Sequence, residues 1–317
     1  MNWISRWKKI GIKVKQIFKK QPTGQEETDW KNCSQCGKIS YLPDLITNSY
    51  ICECSFHFDL PPKMRLNNLF DSTYEIIEPP ENIDPDPLNF EVKERYKYID
   101  KIKKYREVTG QRTALICASG NISNLSATVV CFNPRFGGGR FGPAENEHFL
   151  KAANFAVEKK ADIWIVIYQS SGIDVHTGVT GLTGMTKSII AMNQIKKAKI
   201  PTFAIAARAV AGGTYASSFF MHDFIIIESK CVENLLFSGK RVTANILKGT
   251  DQIPNDFGTG PGVMKSGLAD ITLESRKELK HTVSKLAQII LKKEVLKTTE
   301  EAHENPEDFK KIASTTS

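Results

Sequence analysis

The sequence lacks any long apolar run. Its longest unbroken apolar stretches, such as Ile163 to Tyr168 and Phe224 to Ile227, fall far short of the roughly 18 residues that a membrane-spanning helix needs. It also lacks the compositional extremes of collagen, coiled coils and disordered chains, since 41% of its 317 residues are hydrophobic and 25% are charged. The composition indicates a globular protein of one large or two moderate domains with no membrane span.

Familiar catalytic motifs are missing as well. The chain has no GxSxG nucleophile elbow, no P-loop, no HExxH metal motif and no GxGxxG after a predicted strand. Isolated candidate bases do occur at Asp174, His176 and His222, but lone polar residues near loops are usually just hydrogen-bonded or exposed. We assign them no catalytic role and look instead for chemistry carried by main-chain groups.

Acidic residues are absent from the first 20 positions, which hold seven lysines or arginines. Apolar residues recur there at helical spacing, so the segment predicts a basic amphipathic helix. Such a helix is typical of a terminal helix docked on its own or a partner subunit, a membrane-surface helix, an organellar transit peptide or a nucleic-acid arm. The whole chain has 43 Lys plus Arg against 35 Asp plus Glu, and its formal charge of +8 favours polyanionic partners without choosing among them.

Basic residues are absent in turn from Leu66 to Val92, where seven acidic residues gather among prolines. We interpret this segment as part of an extended acidic connector. Beyond it, short β-branched runs alternate with helical patterns, which is the rhythm of an α/β domain. The predicted parts are a basic helix with its linker at 1–29, a cysteine module at 30–60, the connector at 61–92, the α/β domain at 93–297 and a polar tail at 298–317.

The α/β domain has a clear order of elements. Strands are predicted from β-branched and aromatic runs, and helices from apolar residues at a spacing of three and four. The predicted strands lie near 114–118, 126–132, 162–168, 201–206 and 223–228. The predicted helices lie near 144–159, 184–198, 214–221 and 275–293.

Four of the seven cysteines lie close together in the sequence. Cys33 and Cys36 form a CxxC pair, and after 15 residues Cys52 and Cys54 form a shorter CxC pair. Two such turns hold a tetrahedral zinc ion in a small ribbon, and the site is structural because four protein ligands leave no open position. Because the second pair is short, two alternatives stay open: His57 replacing one sulfur, and free thiols without metal. The other cysteines are predicted core residues: Cys117, Cys131 and Cys231.

Glycine-containing turns between a strand and a helix occur twice in the α/β domain. Ser171 and Gly172 follow one predicted strand, and Gly212 and Gly213 follow the next. Turns of this kind can expose consecutive main-chain N–H groups toward a developing negative charge. Tight packing is the commoner reason for a glycine pair before a helix, so the turns alone do not identify an active site.

A third glycine cluster, formed by Gly137, Gly138 and Gly139, precedes the helix predicted from residue 144. Three glycines in a row let the main chain pass close to a bulky ligand. Arg135 and Arg140 lie beside the cluster and are candidates for binding phosphates, with solvated surface arginines as the alternative.

Six motifs occur in an order that resembles one protein family. They are the N-terminal MNWISRW, the four-cysteine ribbon, Asp86-Pro-Leu-Asn-Phe90, Phe136-Gly-Gly-Gly139, Ala211-Gly-Gly-Thr-Tyr-Ala-Ser217 and Phe237-Ser-Gly-Lys-Arg-Val242. Over about residues 1 to 290 the chain resembles the carboxyltransferase β subunit of bacterial acetyl-CoA carboxylase. The ordered combination is much more specific than any single motif.

The resemblance implies a crotonase-like ββα spiral preceded by a zinc ribbon. It implies a complex with an α subunit, as two α and two β chains, and with a biotin carboxyl carrier protein that bears the biotin. The reaction moves a carboxyl group from carboxybiotin to acetyl-CoA and gives malonyl-CoA, the first committed step of fatty acid synthesis. The similarity of the N-terminal motif to the family's usual start favours a cytoplasmic protein.

The resemblance also implies site residues. Gly212 and Gly213 match the glycine pair of the family's oxyanion site, Ser171 and Gly172 match a second pair, and Arg241 joins the candidates for CoA phosphates. Departures from the family pattern are Ser171 in place of glycine, Asp174 in place of arginine, and Phe257-Gly-Thr-Gly-Pro-Gly262 in place of a Gln-Arg-Ser-Glu-Phe run.

Because of these departures, other functions stay open. One is a non-catalytic scaffold that binds acyl-CoA or the α subunit, and another is a carboxyltransferase or decarboxylase for a different acyl thioester. An accessory nucleic-acid role of the ribbon and the basic segment is a further possibility.

Overall fold

The structure is a computed structural model that describes residues 29–92, 95–247 and 253–292. The predicted basic segment at 1–28 and the polar tail at 298–317 lie outside these residues. Two compact units divide the chain between Phe58 and Asp59. None of the described helices is both long enough and apolar enough to cross a membrane.

The first unit is a small cysteine ribbon. Strands β1 (Trp30–Asn32) and β2 (Ile39–Tyr41) pair antiparallel, and helix α1 (Leu42–Thr47) follows directly. Pro43 fits the first turn of α1, where a missing N–H costs nothing. Cys33, Leu45 and Cys52 are buried inside this unit, so its core consists of little more than the two cysteine turns and one helix.

The second unit is built on an eight-stranded sheet in the order β14-β12-β11-β9-β7-β6-β3, with β13 also paired to β11. Neighbours from β7 to β14 run parallel, whereas β6 is antiparallel to both β7 and β3. The eight strands are β3 (Glu75–Ile77), β6 (Leu115–Ile122), β7 (Leu125–Phe132), β9 (Ile163–Ser170), β11 (Thr202–Ala211), β12 (Phe224–Ile227), β13 (Leu235–Leu236) and β14 (Ile271–Thr272). Two small pairs lie outside this sheet: β4 (Glu91–Val92) with β5 (Tyr96–Lys97), and β8 (Arg140–Phe141) with β10 (Gly172–Ile173).

Helices cover both faces of the sheet. They are α2 (Pro62–Leu69), α3 (Tyr98–Thr109), α4 (Pro143–Glu158), α5 (Val179–Lys197), α6 (Gly212–Ala216), α7 (Lys240–Ile246), α8 (Gly260–Lys265) and α9 (Leu279–Leu291). Every residue of β9 is buried, with Trp164, Val166 and Tyr168 in the apolar cluster shared with α4 and α5. Ile163, Ile165 and Ile167 belong to the opposite cluster, shared with α2 and α9. A continuous apolar run is therefore what this doubly covered strand requires.

The predicted strands and the long helices are confirmed, with small shifts at their ends. The helix predicted at 214–221 is instead divided into α6 and a 3-10 turn at Phe219–Met221. Cys117 and Cys131 lie in the core as predicted, whereas Cys231 is only half-buried and does not.

The extended acidic connector predicted at 61–92 is wrong for its first half. Residues 62–69 form α2, whose Leu66 and Leu69 are buried, and Glu75–Ile77 pair with β6 as an edge strand. Asp71, Glu75 and Glu78 are exposed, whereas Leu66, Leu69 and Ile77 of the same segment are buried. The acidic composition of the whole segment does not show which of its residues are buried, and so it did not reveal the helix and the strand.

Candidate functional site

Two main-chain segments meet at the carboxyl ends of β9 and β11. A Cβ atom added to Gly172 would lie 2.8 Å from the carbonyl oxygen of Ala211 and 3.4 Å from Cα of Gly212. Gly172 and Gly212 have φ angles of +108° and +57°, which L-residues with side chains rarely adopt. The structure thus brings together the two glycine-containing turns that the sequence analysis named separately.

The turn at Gly212 and Gly213 presents main-chain N–H groups at the start of α6. The first N–H groups of a helix have no acceptor within the helix. The residue before α6 is Ala211, whose methyl side chain does not accept a hydrogen bond from them. An added Cβ on Gly212 would meet only Cα of Gly172 at 3.7 Å and the carbonyl oxygen of Ser171 at 4.0 Å. Gly212 is half-buried, and around an added Cβ it is bordered only by main-chain atoms at van der Waals distance.

The main-chain N–H groups of Ser171 and Gly172 are hydrogen-bonded within the chain. The N–H of Ser171 donates to the carbonyl oxygen of Gly138 at 2.9 Å, and the N–H of Gly172 donates to Oγ of Ser170 at 3.1 Å. Both groups are used within the chain, so neither is available to a ligand in this conformation. The exposed side chain of Ser171 is what this pair presents at the surface.

The glycines at 137–139 are required by the packing of the chain on itself. All three have positive φ angles, from +59° to +74°. A Cβ on Gly139 would lie 1.8 Å from the carbonyl oxygen of Gln169, and Oγ of Ser170 donates to the Gly139 carbonyl at 2.6 Å. This fold of the loop pairs β8 with β10 beside the Gly172 turn. Contact of these glycines with a CoA ligand stays a prediction.

Arg140 does not point toward a phosphate-binding surface. Its side chain is 5% exposed, and its guanidinium lies 2.9 Å from Asp174 and 3.2 Å from Glu145. It also donates to the hydroxyl of Tyr98, which in turn donates to Asp174. Burial alone lowers the pKa of Arg140, but the nearby Glu145, Tyr98 and Asp174 outweigh burial and raise it. The assignment of Arg140 to CoA phosphates is therefore wrong, because both carboxylates already neutralise this cation.

The same contacts explain Asp174, the position at which the resemblance implies an arginine. Asp174 is 2% exposed at its side chain and binds both Arg140 and Nδ1 of His176, the latter at 2.9 Å. The His176 ring stacks on Tyr98 with centroids 4.1 Å apart. Asp174 thus belongs to a buried charge network beneath β10, and we find no reason to make either residue a base.

The remaining candidate residues are Arg135, Arg241 and His222, and they differ in their exposure. Arg135 is exposed beside the glycine cluster and stays a candidate for phosphates. Arg241 begins helix α7, but its side chain lies outside the described part of the chain. His222 is buried, and desolvation lowers its pKa to about 4 while Nδ1 bonds to the Phe219 carbonyl at 3.1 Å. It is a neutral structural histidine.

The four cysteine sulfurs of the ribbon lie within 4.8 Å of one another. Cys33 and Cys54 are 3.7 Å apart at Sγ, and so are Cys36 and Cys52. Four sulfurs bound to one ion at 2.3 Å in a tetrahedron stand about 3.8 Å apart, so the described geometry can hold a metal. His57 is not among the clustered groups, and the CxC pair supplies both of its sulfurs.

Crowding of the four thiols opposes their joint deprotonation, and a bound cation would relieve that repulsion. Burial raises the pKa of Cys33, but N–H groups of Cys36 and Gln35 outweigh burial and lower it to about 7. The N–H of Phe56 lowers the pKa of Cys54, but burial and the other three thiols raise it to about 12. Four neighbouring thiolates require a positive charge among them.

Sequence reasoning missed Tyr98 and Glu145, which hold Arg140 in place. Glu145 accepts from the N–H groups of Ala114 and Gly142 at 2.9 and 3.0 Å. The sequence signal was present, because Gly142, Pro143 and then Glu145 at the third helical position form a helix start with a capping carboxylate. No pattern in the sequence around Tyr98 indicated its contacts with Arg140 and Asp174.

Known proteins similar to this chain match it over most of its length. Residues 93–315 match the carboxyl transferase domain family. The chain is 31% identical over 297 residues to the acetyl-coenzyme A carboxylase carboxyl transferase subunit beta of Pelagibacter ubique, covering 92% of this chain and 93% of that protein. It is 32% identical over 273 residues to the same subunit of Sulfurihydrogenibium sp., covering 86% and 94%.

Solved structures with the same architecture include transcarboxylase 12S with methylmalonyl-coenzyme A and methylmalonic acid bound. It matches with a TM-score of 0.57 and 20% identity, over 72% of this chain and 41% of that one. A Pseudomonas malonate decarboxylase hetero-tetramer in complex with malonate matches with a TM-score of 0.55 and 15% identity, over 81% and 90%. These likenesses confirm the predicted crotonase-like fold. The chain therefore belongs to the carboxyl transferase family, among its acetyl-coenzyme A carboxylase carboxyl transferase β subunits.

Proposed function

We propose that this chain is the β subunit of a biotin-dependent carboxyl transferase that carboxylates acetyl-CoA to malonyl-CoA, the first committed step of fatty acid synthesis. Likeness to β subunits over more than nine tenths of the chain supports this. The structural observation that carries the proposal is the half-buried turn at Gly212 and Gly213, which lies against Gly172 at the carboxyl ends of β9 and β11. The turn offers main-chain donors at the start of a helix.

The chain's own contribution to the reaction is electrostatic. As the acetyl group loses a proton, negative charge gathers on the thioester oxygen, and preorganised N–H groups at Gly212 and Gly213 would stabilise it. Removal of one such donor typically costs 10²- to 10³-fold in turnover. Carboxybiotin, carried by a separate protein, would supply the carboxyl group and the nitrogen that takes the proton.

A partner subunit would complete the site. Next to the Gly172 turn, the 3-10 turn Val175–Thr177 and helix α5 expose an apolar stripe whose members lie at helical spacing. Val175 is 81% exposed and Val179 72%, and the stripe continues along α5. Its members are Val175, Val179, Leu182, Ile189 and Ile190. We propose that this stripe binds the carboxyltransferase α subunit in an assembly of two α and two β chains. The biotin carboxyl carrier protein would be a second, transient partner in the cytoplasm.

In the ribbon we propose zinc as the metal bound by Cys33, Cys36, Cys52 and Cys54. Sulfur spacing supports a tetrahedral thiolate site, where a cation would relieve the repulsion that raises the pKa of Cys54. Residues 29–58 themselves carry two lysines against three acidic residues, so a nucleic-acid role would have to rest on residues 1–20. That accessory role stays a prediction.

Mixing the purified chain with the α subunit tests the function. The assay follows carboxylation of a free biotin derivative by malonyl-CoA, which is the reverse reaction, with each subunit alone as control. We expect turnover only in the mixture, because the site is incomplete in one chain. Efficient turnover by this chain alone would contradict the shared site, and a stable but inactive complex would favour the scaffold or another acyl thioester.

A glycine variant with a matched control makes the test specific. Gly212→Ala should lower turnover at least tenfold, because it strains a φ of +57° at the proposed oxyanion turn. Gly110→Ala imposes similar strain, at a φ of +66° with nothing within 4 Å, at the end of α3. Equal losses in the two variants would mean that backbone strain, and not the oxyanion turn, is responsible.

A further inference from the structure

One apolar side chain fills the space between the starts of helices α5 and α6. Ile173 follows Gly172 in β10 and is half-buried. A Cβ on Gly213 would lie 2.1 Å from Cγ1 of Ile173, and a Cβ on Gly181 would lie 3.1 Å from its Cγ2. Because both neighbours are glycine, the Ile173 side chain occupies volume that side chains at those positions would otherwise take.

Met185 of helix α5 lies against the same glycine. Its sulfur would be 2.9 Å from a Cβ on Gly213, and like Ile173 it is half-buried. Together the two side chains cover one side of Gly213. At Gly212, by contrast, an added Cβ would meet only main-chain atoms of Ser171 and Gly172. The turn thus has an apolar wall on the side of Gly213.

We propose that Ile173 and Met185 are the specificity-determining residues for the acyl group and limit it to the size of acetyl. The inference rests on the proposed function, because it takes Gly212 and Gly213 as the turn that binds the thioester oxygen. With that oxygen on the turn, the acyl carbons lie only one or two bonds away from it. An added methylene then meets Ile173 or Met185.

The size of the effect follows from general pocket energetics. One methylene more or less in an apolar pocket changes the specificity constant about 10- to 200-fold. Ile173→Ala removes three carbons beside Gly213, more than a propionyl group adds. Both wall residues are apolar and flexible at their ends, so they select by volume and not by hydrogen bonding. A longer, unbranched acyl thioester is therefore the substrate that the truncated wall should admit.

The experiment measures kcat/KM for acetyl-CoA and propionyl-CoA with the full chain and the α subunit. In Ile173→Ala and in Met185→Ala the propionyl-to-acetyl ratio should rise about tenfold or more. Ile173→Leu, which keeps the volume, should retain the parental ratio. Val108→Ala truncates a side chain that is 53% exposed on α3 and should change nothing. A parallel fall for both substrates in Ile173→Ala would overturn the proposal and make Ile173 a packing residue only.

Binding provides a readout that does not need turnover. Calorimetric titration of the same complexes with acetyl-CoA and propionyl-CoA should show the ratio of affinities shifting in the same direction as kcat/KM. If the parental complex turned over neither substrate, the proposed function would fail. The change in the ratio of affinities for propionyl-CoA and acetyl-CoA would still test whether Ile173 and Met185 limit the size of the acyl group. An unchanged ratio, or no binding of either thioester to any variant, would refute the inference.

Discussion

Replacing Asp174 should destabilise the fold far more than its loop position suggests. Its side chain is 2% exposed and lies 2.9 Å from the Arg140 guanidinium, which is itself 5% exposed. Breaking a buried ion pair by removing one partner costs about 3–5 kcal/mol, because the other charge stays desolvated. Arg140 keeps Glu145 at 3.2 Å, so for Asp174→Asn we expect the low end, about 3 kcal/mol.

Thermal unfolding followed by circular dichroism measures this cost. At about 2–4 °C per kcal/mol for a domain of this size, Asp174→Asn should lower Tm by about 6–12 °C. Asp174→Arg places a second guanidinium against Arg140 and should be more destabilising still. Asp100→Asn is the matched control, because Asp100 forms an exposed pair with Lys103, with side chains 62% and 64% exposed. Such a pair contributes at most about 1 kcal/mol.

The reasoning is refuted if Asp174→Asn and Asp100→Asn unfold at the same temperature. It is also refuted if Asp174→Arg is as stable as the parent chain. Either result would place Asp174 in solvent, at the mouth of the site. There the reversal from the family's arginine would act on ligand binding instead of on the fold.

Three further predictions concern the ribbon, a histidine and a glycine. Chelation of the proposed metal, or Cys36→Ser, should unfold residues 29–58, since the ribbon core depends largely on its cysteine turns. The unfolding temperature of the second unit should stay unchanged. Limited proteolysis checks this, and a ribbon that resists cleavage after chelation would contradict it. His222 has a pKa of about 4 in the folded chain against about 6.5 unfolded, so its contribution to stability is complete above pH 6.5 and is lost as pH falls toward 4. Comparing urea unfolding of the parent and His222→Gln from pH 7 to 4 measures that loss, about 3 kcal/mol, and equal slopes would refute it. Gly139→Ala would put a Cβ 1.8 Å from the Gln169 carbonyl oxygen and should lower Tm by more than 5 °C, about 2 kcal/mol or more, whereas Gly37→Ala, with nothing within 4 Å, should have a smaller effect confined to the ribbon.

The sequence predicted the elements of the α/β domain well because β9 and β11 are buried on both faces. A strand in that setting is apolar over most of its length, as β9 is from Ile163 to Tyr168, and the turn follows soon after the apolar run. The same logic located Gly172 and Gly212. Their closeness in space was not predicted, and it arises because β9 and β11 are neighbouring parallel strands that end at one edge of the sheet.

Arg140 shows where sequence reasoning failed. Because it follows three glycines, Arg140 was interpreted as a loop cation near a ligand. Its partners are Glu145, five residues along the chain, and Asp174 and Tyr98, which are remote in sequence. No local pattern reports such pairings. The acidic connector failed for a related reason, since the burial of Leu66 and the pairing of Ile77 with Cys117 depend on β6, far along the chain.

The close contact between Gly172 and the Gly212 turn has a consequence for inhibitor resistance. Every residue carries a main-chain N–H except proline, so point mutation cannot delete the donors at Gly212 and Gly213 as it deletes a side chain. An inhibitor that bonds to those N–H groups could be evaded only by bending the backbone or by refilling the wall at Ile173 and Met185. The first route disturbs a contact that excludes any Cβ, and the second alters the volume available to the natural substrate.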